Sequence, residues 1–425
     1  MNRFFLFFTF ACLASAEVHT LTLRQAIDLA LKQSPDVILA RLDQQKVAQN
    51  VNIARDPFVP KVFGGSGLAY TNGFPTSIDG AAPSIFQART DMEIYNRPQR
   101  YQVAAARENE RGAAIDVQSK QDDVAYRTAL LYLDARQSGD NLAMARQQVE
   151  VLERVQSSVR ARIAEGRALE IDNKRATVDV LRARQRVEAF SDDQVDAETN
   201  LALVLGFTPD DRVRPAEESL PVLQVSEPET ALVGQALNNS NDVKRLESQM
   251  LVKGYEIRSY RSARLPQIDL VAQYALFATY NHFQDYFLKF QRSNGELGVS
   301  IKIPLLVGKA SYAYAAQAEA DEAKLRTQMA VTRGRITADT RKSYQDVRRA
   351  ETARNVAQAD LDLAREQVSV DLAQMQEGRV MLVQVEQARF IEDEKWLAFY
   401  DAEHALERAR LALLKQTGTI LAALK

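Results

Sequence analysis

The chain has 425 residues, 46% hydrophobic and 26% charged: more than one compact core usually holds, with ample apolar surface to bury. A formal net charge of −2 leaves no excess of either sign, which argues against a nucleic-acid partner, since that would normally need a basic patch. With 17 glycines and 12 prolines, turns are few and elements long.

The N-terminus, "MNRFFLFFTFACLASAEV", has a basic Arg3, an apolar run from Phe4 to Leu13 and an Ala14-Ser15-Ala16 site. That is the pattern of a secretory signal peptide over residues 1–16, cut before Glu17. The run is too short to cross a membrane. The one cysteine, Cys12, lies inside it, and Thr9 and Phe10 fit a lipobox poorly, so a mature chain without disulfides is expected. No other segment has 18 consecutive apolar residues, so a membrane role falls to β-strands.

A first repeat is expected over 17–207. It opens with a helix from Leu23 to Ala54, followed by a strand pair within 58–95. Phe86, Ala88, Thr90, Met92 and Ile94 alternate there with Gln87, Arg89, Asp91, Glu93 and Tyr95, while Val62 to Tyr70 is glycine-rich and weaker. A long helical hairpin follows over 98–206. Its first arm, Pro98 to Ile163, is roughly 100 Å long at about 1.5 Å per residue. Leu142, Ala145, Val149, Leu152, Val159 and Ile163 recur at coiled-coil spacing, broken by Gln156, and Ala176, Val180, Ala183, Val187 and Phe190 continue after the turn. Prolines 209, 215, 221 and 228 mark 208–228 as an irregular connector.

The second repeat, 229–425, has the same order: a helix from Glu229 to Ser262, a strand pair over 266–304 and a helical hairpin over 308–422. Ile268, Leu270, Ala272, Tyr274 and Leu276 lie on one strand face, and Leu297, Val299, Ile301 and Ile303 on one face of the next. "LALKQSPDV" from Leu29 pairs with "QALNNSNDV" from Gln235, and Pro60 with Pro266, at an offset of 206. Tyr132 pairs with Tyr344 and Gly166 with Gly378 at 212. Matching spacing with diverged residues marks a duplication.

Period-two alternation fits a soluble hairpin as well as the wall of an outer-membrane barrel. The leader and the aromatics near the strand ends (Tyr70, Phe74, Tyr274, Phe277, Tyr280, Phe283, Tyr286, Phe287, Phe290) favour the barrel. Four strands cannot close one, and lipid tolerates no open sheet edge, so oligomerisation is required. Chemistry is thinly represented. His19, His282 and His404 lack metal-ligand spacing, and neither a phosphate loop nor a dinucleotide fingerprint occurs. No enzyme, metal or cofactor is expected.

"LTLRQAIDLALKQSPDV", "ARLPQIDLVAQY", "GVSIKIPLLVGKASYAYAAQAEA" and the paired "EGRALEIDNKRA" and "EGRVMLVQVEQA" together resemble the TolC-like outer membrane efflux protein family (outer membrane factors), in family order over nearly the whole mature chain. The resemblance implies a mainly α protein with a membrane β-barrel portion. It implies a homotrimer in which each protomer gives four strands to a shared 12-stranded barrel in outer membrane lipid, and an antiparallel coiled-coil α-barrel to a periplasmic tunnel. Such a channel serves a tripartite efflux or type I secretion system, with a periplasmic adaptor and, through it, an inner-membrane pump as partners. The location implied is the cell outer membrane of a Gram-negative-type bacterium, with a periplasmic extension.

The two Gly-Arg elements then become the turns at the periplasmic tip. Gly166, Arg167, Ala168 and Leu169, with Gly378, Arg379, Val380 and Met381, are the expected adaptor-docking residues. Asp172, Arg379, Gln384 and Gln387 are the gate candidates, with Asp172 expected to meet Arg379. Family members often place acids where Gln384 and Gln387 stand. "IYNRPQR" likewise departs from the Pro304-Leu305 pattern. The rival reading is an exported periplasmic coiled-coil scaffold without a pore.

Overall fold

The computed structural model describes residues 17–67, 84–166, 169–217, 227–278, 291–305, 308–377 and 379–424. The expected leader, residues 1–16 with Cys12, the glycine-rich stretch beyond Gly67, Pro221, His282 and the aromatics Tyr70, Phe74, Tyr280, Phe283, Tyr286, Phe287 and Phe290 lie outside the described residues. The protein is mostly helical and consists of two compact units.

One unit holds residues up to 39, 118–241 and 333–425. β1 (Val18–Leu21) leads into α1 (Leu23–Gln33) through a capping box, in which the Thr22 hydroxyl accepts from the Gln25 N–H at 3.2 Å and the Gln25 side chain accepts from the Thr22 N–H at 3.0 Å. The helix stops at Ser34, whose ψ of 125° is extended, because the residue before a proline is pushed out of the helical region. Periodicity alone reads α1 and α2 (Pro35–Arg55) as one helix, and the structure divides them here. The same division falls at Ser240, between α5 (Glu229–Asn239) and α6 (Asn241–Arg261), where no proline enforces it.

α3 (Arg97–Ala164) and α4 (Glu170–Val204) form the first long hairpin. α7 (Lys309–Gln376) and α8 (Leu382–Gln416) form the second, and α9 (Ile420–Leu424) ends the chain. The arms are 68 and 35 residues long in both cases. Part of the connector is ordered as a strand: β4 (Arg212–Pro215) pairs in parallel with β1. Pro215 is its last residue, where the missing N–H does least harm. The core gathers Ile27, Ala30, Tyr132, Leu201, Leu205, Val213, Leu411 and Ile420. Tyr132 is fully enclosed and its hydroxyl donates to the Leu21 carbonyl at 3.2 Å. Glu198, 1% exposed, accepts a forked pair of bonds from Arg214 at 2.6 and 3.4 Å, so its charge is buried with a partner.

The other unit holds residues 40–117 and 242–332. Its sheet runs in the order β2 (Lys61–Gly67), β3 (Ser84–Tyr95), β5 (Gln267–Phe277), β6 (Ser293–Lys302), all antiparallel. Val62 faces Thr90, Thr90 faces Ala272 and Ala272 faces Leu297. Two residues along, Met92, Leu270 and Val299 form the next row. The alternation read from sequence thus becomes one continuous apolar face, and Val62, Leu297, Val299 and Ile301 on it are exposed. Among the described residues β2 and β6 have no partner strand on their outer edges.

Candidate functional site at the helical turns

At the first turn Gly166 has φ of +74°, and nothing lies within 4 Å of where a Cβ would stand. Here glycine serves backbone freedom rather than close packing. Its N–H donates to the Ile163 carbonyl at 2.9 Å, closing α3. α4 restarts from Leu169, an extended residue with no side-chain acceptor to cap the helix. Asp172 compensates: its carboxylate accepts the Leu169 N–H at 3.1 Å, while its own N–H reaches the Leu169 carbonyl at 2.9 Å. Arg167 and Ala168 lie outside the described residues.

The second turn follows a similar plan. The Arg379 N–H donates to the Gln374 carbonyl at 2.9 Å, a bond across five residues that satisfies the end of α7. α8 restarts from extended Met381, and the Gln384 N–H reaches the Met381 carbonyl at 3.0 Å, matching Asp172 and Leu169. Gly378 lies outside the described residues.

The expected pair between Asp172 and Arg379 is not formed within the chain. Asp172 is engaged by its own helix start and by Arg175 at 3.9 Å, and Arg379 turns back on Glu377 at 3.1 Å. Two short-range partners outcompete a bond that would have to cross between the turns. Leu169 and Met381 stand 69% and 75% exposed, one apolar side chain at each turn.

A groove of about 780 Å³ lies between α3, α4 and α8. Asp172 from the first turn and Val380, Met381 and Gln387 from the second all line it, so the structure brings these four together. Arg379, Gln384 and Leu169 stand outside its lining. Its floor is apolar, from Val155, Val159, Ala176 and Ala183.

Glu386 and Asp393, seven residues apart on α8, face the same groove. Burial, then the nearby Asp179 and Asp172, raise the Glu386 carboxyl above its ordinary range, and its Oε1 is buried with no hydrogen-bond partner. Burial pushes Asp393 to about 6, against the hydrogen bond it accepts from Gln148 at 2.8 Å. Gln148 in turn accepts from Arg186 at 3.2 Å, so one amide links α4, α3 and α8. Gln137 to Asp401 at 2.6 Å, and Arg408 to Asp134 at 2.6 Å, add to the links between α3 and α8.

His404, buried on α8, is held near 4 by burial and by the charges of Arg408 and Arg136. It is neutral at pH 7, so its 3.8 Å approaches to Asp140 and Glu407 are not ion pairs. Among the described residues no group of three or more His, Cys, Asp or Glu is placed to hold a metal, and no helix is long and apolar enough to cross a membrane.

Sequence reasoning missed Asp393 and Gln148. The available signal was the seven-residue spacing of two acids on one helix face.

Two hairpins of 68- and 35-residue helices, joined to four strands with one apolar face, define a class of outer-membrane channel protein. Residues 26–207 and again 232–419 match the outer membrane efflux protein family, and the chain belongs to that family. It is 22% identical over 405 residues to the outer membrane efflux protein BepC of Brucella suis biovar 1 (strain 1330), covering 94% of this chain and 86% of that protein. Its fold is similar to that of CusC, whose crystal structures concern folding and transmembrane channel formation, with a TM-score of 0.75 and 15% identity over 93% of this chain and 92% of that one. The Campylobacter jejuni CmeC outer membrane channel is similar at a TM-score of 0.72 and 15% identity, over 93% and 85% of the two chains.

Proposed function

We propose that the chain is the passive outer-membrane exit duct of a tripartite efflux or type I secretion system. Three copies each give four strands to a 12-stranded barrel and two helical hairpins to a periplasmic tunnel. The observation that carries this reading is the four-stranded sheet with an exposed apolar face and two unpaired edges. In lipid such edges must be closed by further strands, and other copies of the chain provide them. The family match at 26–207 and 232–419, with equal arm lengths in both halves, supports reading the chain as a duplication.

The turns at Gly166 and Gly378 are read as the periplasmic tip. Gly166, Arg167, Ala168, Leu169, Gly378, Arg379, Val380 and Met381 would meet a periplasmic adaptor that joins the duct to an inner-membrane pump. Exposed Leu169 and Met381 support this assignment, as apolar side chains for an adaptor to cover. Asp172, Arg379, Gln384 and Gln387 would set the tip gate, with glutamines where an acidic ring would otherwise select cations.

Fractionation tests the reading. The mature protein should partition with outer membranes and migrate on gels as a heat-modifiable oligomer. Full-length protein free in the periplasm would overturn it in favour of a coiled-coil scaffold.

A further inference from the structure

The antiparallel order β2-β3-β5-β6 places the start of β2, the end of β3, the start of β5 and the end of β6 along one end of the sheet. All four junctions with helices fall there. Stretches 53–61, 93–101, 255–269 and 302–314 carry nine basic residues, four acidic residues and six tyrosines. The junctions are tied sideways. Gln99 donates to the Ala54 carbonyl at 2.7 Å, Ser259 to the Pro98 carbonyl at 2.9 Å, and Tyr260 stacks on Tyr314 at 5.4 Å.

The four acids are already engaged. Asp56 pairs with Lys61, Asp269 with Lys302, Glu256 with Lys253, and Glu93 accepts from Asn96 and Gln267. Of the guanidinium groups, Arg261 pairs with Glu319, but three others are treated differently. Arg97 lies over Tyr101 at 5.7 Å, Arg100 over Tyr95 at 5.3 Å and Arg258 over Tyr255 at 5.8 Å. A ring holds a guanidinium without neutralising it, and among the described residues none of the three has a carboxylate within ion-pair distance. Arg264 and Lys309 are exposed beside them. Arg97, Arg100 and Lys309 also stand at the starts of α3 and α7, which have no acid in their first turns. Cations there oppose the helix dipole, so helix stability does not account for them. Exposed Val59, Ile303 and Leu305 (92% exposed) adjoin the charges, and Ile303 and Leu305 follow the register of Val299 and Ile301.

Apolar surface that gives way to a band of interleaved tyrosine and unneutralised cation matches the border of one membrane leaflet, where acyl chain meets interface and phosphate. We propose that this collar seats anionic phospholipid headgroups of the leaflet bordering the helices, the guanidinium groups of Arg97, Arg100 and Arg258 meeting the phosphates. The proposal rests on reading the sheet as a barrel wall.

The test reconstitutes the full-length protein in phosphatidylethanolamine vesicles and measures association of spin-labelled phosphatidylglycerol against spin-labelled phosphatidylethanolamine. A cation near a leaflet surface favours an anionic lipid roughly fivefold, so a severalfold preference is expected for the native protein. It should fall towards one in about 1 M salt, where the screening length is about 3 Å. The triple Arg97→Gln, Arg100→Gln, Arg258→Gln variant should lose it and the triple Lys variant keep it. Single Arg97→Gln should lose part, which serves if the triple variant fails to insert. Loss of the preference on adding millimolar inorganic phosphate would show a free-anion site and overturn the leaflet proposal. Equal association of both lipids in protein that has inserted as a heat-modifiable oligomer sinks the collar alone. Failure of the native protein to insert sinks the barrel reading, and the collar with it.

Discussion

Gly206 and Gly418 end α4 and α8 with φ of +86° and +67°, as Gly166 ends α3 with +74°. The three differ in surroundings. A Cβ at Gly418 would stand 2.8 Å from the Asn239 Cβ and one at Gly206 3.3 Å from the Gln33 Cβ, whereas Gly166 faces open space. Gly166→Ala should therefore cost about 1 kcal/mol, the left-handed backbone penalty alone. Gly418→Ala adds a clash and should cost about 2 kcal/mol or more. Thermal midpoints of the two purified variants check the order, and equal losses would refute the clash argument. The sequence showed Gly166 as a turn because helix flanks it on both sides. The close approach at Gly418 brings together residues 179 apart and has no local signature.

Asp393 carries a second prediction at this scale. Its folded carboxyl titrates near 6, above the ordinary 3.8, so the folded state binds the proton more tightly than the unfolded chain between those values. Its contribution to stability is present at low pH and lost as pH rises through 6. Asp393→Asn keeps an acceptor for Gln148 and removes the charge, so the variant should melt higher than the native protein at pH 7.5, with the gap narrowing below pH 6 and closing as pH falls to 3.8. His404 acts in the opposite sense, losing stability as pH falls from its ordinary 6.5 through 4. The comparison is therefore made between the two proteins at each pH, where His404 cancels. A gap independent of pH would mean that Asp393 is ionised throughout.

At the scale of elements, the long helices were legible because their seams repeat over many turns. Leu142, Ala145, Val159, Ala176, Val180 and Ala183 are buried as their spacing requires, and Gln156, the polar break, donates to Thr177 across the hairpin at 2.8 Å. The expected first arm, 98–163, differs from the observed helix by one residue at each end. Short elements were less legible. β1 and β4 are four residues each and owe their form to one another, across almost 200 residues of chain. The start of α4 also depends on one side chain. Asp172→Ala frees the Leu169 N–H and the Arg175 guanidinium and should weaken the helix start by about 0.5–1 kcal/mol. Asp172 also lines the groove, so we expect the loosened turn to raise closed-state conductance in a planar bilayer. An unchanged conductance would confine Asp172 to finishing its own helix.

At the scale of the molecule, alternation fixed which strand face is apolar but left the occupant of that face open, since water-facing and lumen-facing residues are equally polar. The sheet edges decide what must be tested. Among the described residues β2 and β6 each leave one edge without a partner strand, and in the antiparallel order they run in opposite senses, so β6 of one copy can pair antiparallel with β2 of the next. If three copies close, every edge is satisfied and no fourth copy can join. The sequence has one cysteine, Cys12, and replacing it leaves a clean background for engineered ones. Val62→Cys on β2, combined in turn with single cysteines from Gly295 to Ile301 on β6, should give disulfides at one or two registers only. Denaturing gels should then show one, two and three linked chains and nothing larger. A ladder continuing past three would mean an open or larger assembly. No cross-link at any register, in protein that sediments with outer membranes, would mean that β2 and β6 are closed by something other than a second copy of this chain.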